Sequence, residues 1–462
     1  MNQKKSNPQL KIPLFGDTET KFEIFRPIHY LGSKLRFLDF IDDTINQIDP
    51  SNGRICDLFA GSGTVSYKFS QTRPVVSVDI QNYSKVICSA ILNPQTPKSN
   101  HIEDFLDRCK NSKQSALLEQ AALPLIEFEV EAIKNALIKN DCFDLCDIIE
   151  NGSLISHETL ETTNASKRLL NAMIESQLRM KDEETKGVKS LSLKYFGGIY
   201  FSYLQCSQID SILHQLLDVA DEFKDFYLAA LLSTVSEVVN TVGKQFAQPI
   251  RPRKSDGTIK PSLGKIVNKD RSVDVLNVYR KWIDKYSSIT RSSLQHSVLN
   301  MDFSKALDYL PEDTTVIYAD PPYTRDHYSR FYHVLETISI GDSPKISTMV
   351  LKGETLLSRG LYREDRHQSP FCIKSQAPKS FELMFSKAKN LGAKLVLSYS
   401  PFSKENNAHP RVVNLEMLRN LAKKYFNKVE IISVGNFSHS KLTHSEKHKS
   451  ASTTAEVLIV CE

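Results

Sequence analysis

Seven short apolar runs, at 54–58, 75–79, 296–299, 315–319, 394–399, 428–434 and 455–461, are separated by segments with helical spacing. This order constrains the chain more than any other feature. Strands that alternate with helices assemble into a largely parallel, doubly wound sheet. Such sheets bind ligands outside the carboxyl ends of their strands. Two of the runs end in clusters whose chemistry suits that position. Val316-Ile317-Tyr318-Ala319 leads into Asp320-Pro321-Pro322-Tyr323, and Arg54-Ile55-Cys56 leads into Asp57-Leu58-Phe59-Ala60-Gly61-Ser62-Gly63.

The first cluster reads as a site for an aromatic amine. The lone pair of such an amine is delocalised into its ring, so it is a poor nucleophile. Two acceptors, the Asp320 carboxylate and the Pro321 carbonyl, can hold its two hydrogens and favour the localised lone pair of the transition state. Pro321 and Pro322 fix φ and stiffen the loop, which aims that carbonyl in advance. Tyr323 offers a flat face for a base. A simple strand-ending turn accounts for the same four residues when they are taken alone.

The second cluster reads as a cofactor turn. Gly61 and Gly63 permit a tight turn and close backbone approach, with the amides of a helix starting near Thr64 facing an anionic group. The next strand, Val75-Val76-Ser77-Val78, ends in Asp79, at roughly the 20-residue interval expected for an acid that binds ribose. Position 66 is Ser66, so the dinucleotide Gly-x-Gly-x-x-Gly spacing is broken and another adenosine-bearing cofactor fits better. Asp79 also suits the N-cap of the following helix, and the two roles are compatible.

His29-Tyr30-Leu31-Gly32-Ser33-Lys34, Asp57 to Gly63, Asp79, Asp302-Phe303 and Asp320 to Tyr323 occur in one order that resembles the alpha-group DNA adenine methyltransferases, relatives of the DNA adenine methylase. The resemblance spans residues 24–92 and 296–462. It implies a Rossmann-like methyltransferase sheet whose last strand is antiparallel and inserted between its two predecessors. It also implies transfer of a methyl group from S-adenosyl-L-methionine to the N6 amine of adenine in duplex DNA, with the base flipped out and no metal. By position, Tyr30 and Lys34 would meet the methionine end of the cofactor. The turn from Asp57 through Phe59, Ala60, Gly61 and Gly63 would cradle it, Asp79 would bind its ribose, and Asp302 and Phe303 would hold its adenine. Asp320, Pro321, Pro322 and Tyr323 would be catalytic. Leu397-Ser398-Tyr399-Ser400 matches a further strand-end motif beside the target-base pocket. The chain departs from compact members in the length between Asp79 and Asp302, so no DNA contacts transfer across that segment.

Composition suits a cytoplasmic protein and permits DNA binding without requiring it, and a monomer is expected. The 462 residues are 40% hydrophobic and 24% charged with a net charge of +5, enough for more than one domain and permissive of nucleic-acid binding. The eight cysteines lie mostly inside apolar segments, as reduced thiols do. Cys142 and Cys146 share a helical face but have no second ligand pair, so buried thiols fit better than zinc. The polar, basic start from Met1 to Lys11 is not a signal-peptide pattern, and no run is long enough for a transmembrane helix.

Three regions follow: an arm at 1–20, a cofactor-binding catalytic domain at 21–92 and 296–462, and a mostly helical insertion at 93–295 expected to recognise the DNA target. Ser33 is expected to cap a helix reaching Ile48. Helices are expected in the insertion at 101–110, 113–139, 158–181, 206–221 and 224–244. Residues 251–271 carry seven basic side chains against two acids, and Pro252, Gly257, Pro261 and Gly264 argue for an extended loop. Arg251, Arg253 and Lys254 are its DNA-contact candidates, with simple solvation as the alternative. After the tetrapeptide, Thr324 to His333 interleaves aromatic and basic residues. Arg325 and Tyr328 are read as a DNA-facing loop beside a flipped base, ahead of a helix from Ser329 to Ile338. Residues 341–376 are read as loop-rich, with Arg359, Arg363 and Arg366 as further phosphate contacts. The His439, His444 and His448 run is read as a solvated or DNA-facing hairpin. RNA amine methylation and a catalytically silent nucleic-acid binding module are the competing functions, and a companion restriction endonuclease is a compatible partner.

Overall fold

A computed structural model describes residues 25–30, 32, 34–160, 164–325, 328–351, 354–400, 411–433 and 456–462. The arm at 1–20, the Ser33 cap and the His439–His448 run lie outside the described residues.

The strands are β1 (Arg54–Asp57), β2 (Val75–Asp79), β3 (Ser297–Asn300), β4 (Thr314–Ala319), β5 (Thr348–Leu351), β6 (Glu354–Leu357), β7 (Lys394–Tyr399), β8 (Val429–Ser433) and β9 (Val457–Cys461). Seven of them form one sheet in the order β3-β2-β1-β4-β7-β9-β8. β1, β2, β3, β4 and β7 are parallel neighbours, while β9 runs antiparallel between β7 and β8. All seven expected strands are present, and the last is inserted and antiparallel as the resemblance implies. β5 and β6 form a separate antiparallel hairpin inside the region expected to be loop.

Because side chains alternate along a strand, each strand feeds two cores. Ile55, Val75, Val316, Tyr318 and Val460 face one core, while Cys56, Val76, Ile317, Leu395 and Ile459 face the other. The first core continues without a break into the helices between 99 and 287. Helix Asp221–Val238 packs against Asn82–Leu92, the helix after β2, and against Ser329–Ile340, the helix after the tetrapeptide. The Tyr200 hydroxyl lies 2.5 Å from the Phe246 carbonyl, 2.8 Å from the Gly360 carbonyl and 3.1 Å from His333 Nε2, tying the segment around Tyr200 and Phe246 to Ser329–Ile340. Burial, with Arg366 and Arg363 nearby, lowers His333 to about 3, so the imidazole is neutral there.

Several helix expectations need correction. The segment 158–181 is two helices, Leu154–Leu160 and Lys167–Thr185, the second capped by the Ser166 hydroxyl. The expected 224–244 helix is Asp221–Val238, and Gly243 beyond it has φ of 75°. Phe143–Asn151 is a helix with Cys142 at its N-cap, in keeping with the Cys142–Cys146 spacing, whereas Leu191–Phe196 and Val275–Ser287 fall where no helix is expected. The basic segment is extended only in its first half, where Arg253 bridges Ile259 across a turn. Leu263–Arg271 is a helix despite Gly264, and the missing side chain there lets it approach Ala136, which a Cβ would meet at 2.9 Å. Tight helix packing outweighs the modest helix penalty of glycine. All eight cysteines are buried and none forms a disulfide. No helix among the described residues is long and apolar enough to cross a membrane.

Candidate active site

The carboxyl ends of β1, β2 and β4 open on one cleft, the place where open α/β sheets take their ligands. Phe59 from the β1 turn, Asp79 from β2, Asp302 and Phe303 after β3, and Asp320 to Tyr323 after β4 all line it. Tyr30, Lys34 and Tyr328 line it as well. The sheet thus gathers segments almost 300 positions apart in sequence, counted from Tyr30 to Tyr328.

One end of the cleft is aromatic and acidic. The rings of Phe303 and Phe371 lie 4.9 Å apart, and Phe59 is 5.4 Å from Phe371. Asp79 Oδ2 accepts the Gly61 N–H at 2.8 Å, and Oδ1 accepts the Gln81 N–H at 2.9 Å. Burial pushes the Asp79 carboxyl above its ordinary range despite these bonds. Asp302 caps the short helix Phe303–Ala306, accepting from the Ser304 N–H at 2.9 Å. Flat rings for a purine and carboxylates for hydroxyls are the donor set that an adenosine moiety needs.

The glycine turn supports the cleft from behind. Ala60, Gly61 and Gly63 stand outside its lining, and so does Asp57. Asp57 is 2% exposed, and its Oδ2 accepts from the Ser66 N–H at 3.0 Å and the Ser66 hydroxyl at 2.7 Å. Burial raises its pKa to about 7. The helix Thr64–Phe69 is only six residues long and spends a first-turn amide on Asp57. The turn therefore acts by shape here. Gly61 has φ of 53°, and a Cβ there would lie 2.5 Å from the Tyr30 ring. Tyr30 in turn stacks on Tyr332 at 4.8 Å with the planes 10° apart.

The other end holds the tetrapeptide. Lys34 Nζ lies 2.9 Å from Asp320 Oδ2 and 3.3 Å from Glu456 Oε1, with Lys34 and Glu456 both buried. Burial alone would lower the Lys34 ammonium, but Asp320 and Glu456 outweigh it and hold its pKa well above the ordinary value. Tyr323 packs 4.8 Å from Tyr399, and the Arg411 guanidinium lies 5.0 Å from the Tyr323 ring centre. These contacts fix the ring at the mouth of β4. The Cys372 thiol approaches the Pro322 carbonyl at 3.7 Å from the opposite wall. Tyr328 is half-buried in the cleft itself, whereas Arg325 is exposed.

Sequence reasoning missed Tyr83, Tyr332, His367 and Glu456. Tyr83 and Tyr332 pack 5.4 Å apart where two helices meet. His367 comes from the loop after the β5–β6 hairpin and carries no local signal. Glu456 had one: a lone acid at the head of an otherwise apolar strand.

The basic candidates lie elsewhere. Arg251, Arg253, Lys254, Lys260 and Arg359 line a broad open groove between helix Phe143–Asn151 and β6. Arg251 and Lys254 are exposed. Arg253 Nε donates to both Glu150 oxygens, at 2.9 and 3.0 Å. Arg271, counted among the basic residues of the loop, is buried and donates to Glu129 Oε1 at 2.6 Å and the Gly198 carbonyl at 2.8 Å. Arg363 is buried in a fork with Asp342 at 2.7 and 2.8 Å. These two arginines hold the fold together, and Arg363 is withdrawn from the phosphate candidates. Arg359 donates to the Ile250 carbonyl at 2.7 Å and Arg366 to the Ser347 hydroxyl at 2.7 Å.

Comparison with known proteins agrees with this geometry. The family model described as D12 class N6 adenine-specific DNA methyltransferase matches residues 30–123 and 275–354. Modification methylase LlaI of Lactococcus lactis subsp. lactis is 26% identical over 401 residues, 86% of this chain and 49% of the relative. Type II methyltransferase M.FokI of Planomicrobium okeanokoites is 24% identical over 78% of this chain and 43% of its own length. Type II methyltransferase M.NlaIII of Neisseria lactamica is 23% identical over 78% of this chain and 80% of its own. The chain therefore spans about half the length of the first two relatives. The motifs that meet in the cleft fall within the two matched blocks, and over those blocks the chain is similar to the D12 class of N6 adenine-specific DNA methyltransferases.

Proposed function

We propose that this chain moves a methyl group from S-adenosyl-L-methionine to the N6 amine of adenine in duplex DNA. One observation carries the reading: Asp320 to Tyr323 and Asp79 open into a single cleft, an amine-binding cluster at one end and an adenosine-type donor set at the other. Phe59, Phe303 and Asp302 would hold the cofactor's adenine, Asp79 its ribose, and Tyr30 and Lys34 its methionine end. When bound, the cofactor supplies a methyl group already activated by the positive sulfur. The Asp320 carboxylate and the Pro321 carbonyl accept the two N–H hydrogens of the amine, which localises the lone pair. Positive charge arrives on the amine nitrogen as the N–C bond forms and the S–C bond breaks. It leaves as a proton, and the Asp320 carboxylate lies beside the nitrogen to receive it. Tyr323 stacks on the base, whose extrusion from the duplex costs a few kcal/mol.

We further assign residues 93–295 to target recognition, with Arg251, Arg253 and Lys254 along the broad groove and Arg325 at the cleft mouth as phosphate contacts. A companion restriction endonuclease fits the modification-methylase names of the relatives. Radiolabelled methyl transfer to unmethylated duplex DNA and to RNA, compared between wild type and Asp320→Ala, tests the reading. The expected result is N6-methyladenine in DNA from the wild type and almost none from the variant, with cofactor affinity retained in both. Methylated cytosine, RNA as the preferred acceptor, or an active variant would overturn it.

A further inference from the structure

Lys34 is shared by two carboxylates, and only one of them belongs to the tetrapeptide. The other, Glu456, directly precedes β9. β9 is antiparallel to β7, with Val457 opposite Tyr399 and Leu458 opposite Ser398. Its start therefore lies at the same sheet edge where β4 and β7 end. A parallel last strand would have placed Glu456 at the far edge. The residue is 1% exposed, and the Ser398 hydroxyl donates to its Oε1 at 2.5 Å. That same oxygen faces Lys34 Nζ at 3.3 Å, while Asp320 Oδ2 sits 2.9 Å from the ammonium on its other side.

Resting on the function proposed above, we propose that Glu456 is a positioning residue that keeps Asp320 electrostatically active by dividing the Lys34 ammonium between two carboxylates. A lysine paired with Asp320 alone would cancel the charge that the amine needs. Two carboxylates around one ammonium leave one net negative charge next to the nitrogen on which positive charge develops. In a buried site that charge is weakly screened and acts mainly in the transition state. Lys34 in turn makes it tolerable to bury Glu456. Ser398, in the strand-end motif of β7, sets the Glu456 rotamer. Glu456 touches neither reacting partner in this arrangement and works through Lys34.

The test uses the full chain, tritiated S-adenosyl-L-methionine and duplex DNA from a host lacking adenine methylation. Glu456→Gln retains an acceptor for Ser398 but removes the charge. Its single-turnover rate should fall about 10- to 100-fold, less than the loss of a group that contacts the reacting atoms directly. Cofactor affinity by calorimetry should stay within about threefold, since only the transition state is affected. Glu456→Asp, which keeps the charge but draws it back from Lys34, should fall between Gln and wild type. It also carries the test if the Gln variant does not fold. In a Lys34→Met background, adding Glu456→Gln should cause no further loss, because the relay is already cut. An unaffected Glu456→Gln rate, a parallel loss of cofactor affinity, or multiplying effects in the double variant would each overturn the inference. A wild-type chain that methylates no nucleic acid overturns the proposed function and this inference with it. An active wild type with an equally active Glu456→Gln overturns the inference alone.

Discussion

Asp79→Asn should weaken cofactor binding at least as much as Asp79→Ala, although asparagine is the nearer mimic in shape. The wild-type carboxylate accepts two backbone N–H groups, from Gly61 at 2.8 Å and from Gln81 at 2.9 Å. An asparagine side chain has one acceptor oxygen and one donor NH2. Whichever way it turns, one backbone donor faces another donor in a buried site. Alanine loses both bonds but leaves room in which water can satisfy the amides. A hydrogen bond to a charged group contributes about 1.5–3 kcal/mol, which corresponds to roughly 10- to 150-fold in affinity. The Gly61 turn packs under Tyr30, so releasing its amide loosens the cleft wall as well as removing the ribose acceptor. Calorimetric titration with S-adenosyl-L-methionine, with circular dichroism confirming the fold, measures the effect. Burial makes Asp79 take up its proton at a higher pH than an ordinary aspartate, so wild-type affinity should decline early on acidification and the Asn variant should lack that decline. Wild-type affinity in a folded Asn variant would refute the reasoning.

Three further outcomes follow from the same geometry. Neutralising Arg251 and Lys254 should weaken target and unrelated duplexes alike and flatten the log–log salt dependence by about 1.8, at roughly 0.9 per contact. Adding Arg253 should change the slope by less than another full contact, because Glu150 already balances it; an unchanged slope in all variants would leave the groove merely solvated. Glu129→Ala strands the buried Arg271 guanidinium and the Tyr203 N–H, so urea melts should show a loss of about 3–5 kcal/mol that Glu129→Leu with Arg271→Met largely recovers. Asp57 has a folded pKa of about 7 against an ordinary 3.8, so its contribution is full below the ordinary value and is lost as pH rises through 7. Asp57→Asn should therefore melt progressively higher relative to wild type as pH rises from about 4 to about 7, and the gap should level off above that. A constant gap would mean that Asp57 does not titrate.

The sequence by itself determined the sheet and most of the cleft. Strand length, β-branched content and the acid or glycine at each strand end are local signals, and a parallel sheet turns them into position by bringing every carboxyl end to one edge. Asp79, Asp302 and Asp320 could therefore be placed together before any contact was known. Tertiary structure decided what each polar group does once it arrives there. Asp57 shares a motif with Phe59 yet is spent on Ser66, because the following helix brings the Ser66 N–H and hydroxyl within hydrogen-bond reach of its carboxylate. Arg271 and Arg363 look like their exposed neighbours in sequence, but partners 142 and 21 positions away draw them into the fold. Gly264 reads as a helix breaker in sequence, but in the fold it is the place where helix Leu263–Arg271 packs closely on Ala136. Glu456 joined Lys34 across more than 400 residues only because β9 runs antiparallel. Motifs report what a chain can offer to a ligand. Pairing between distant charges depends on burial and direction, which appear only when the strands are assembled.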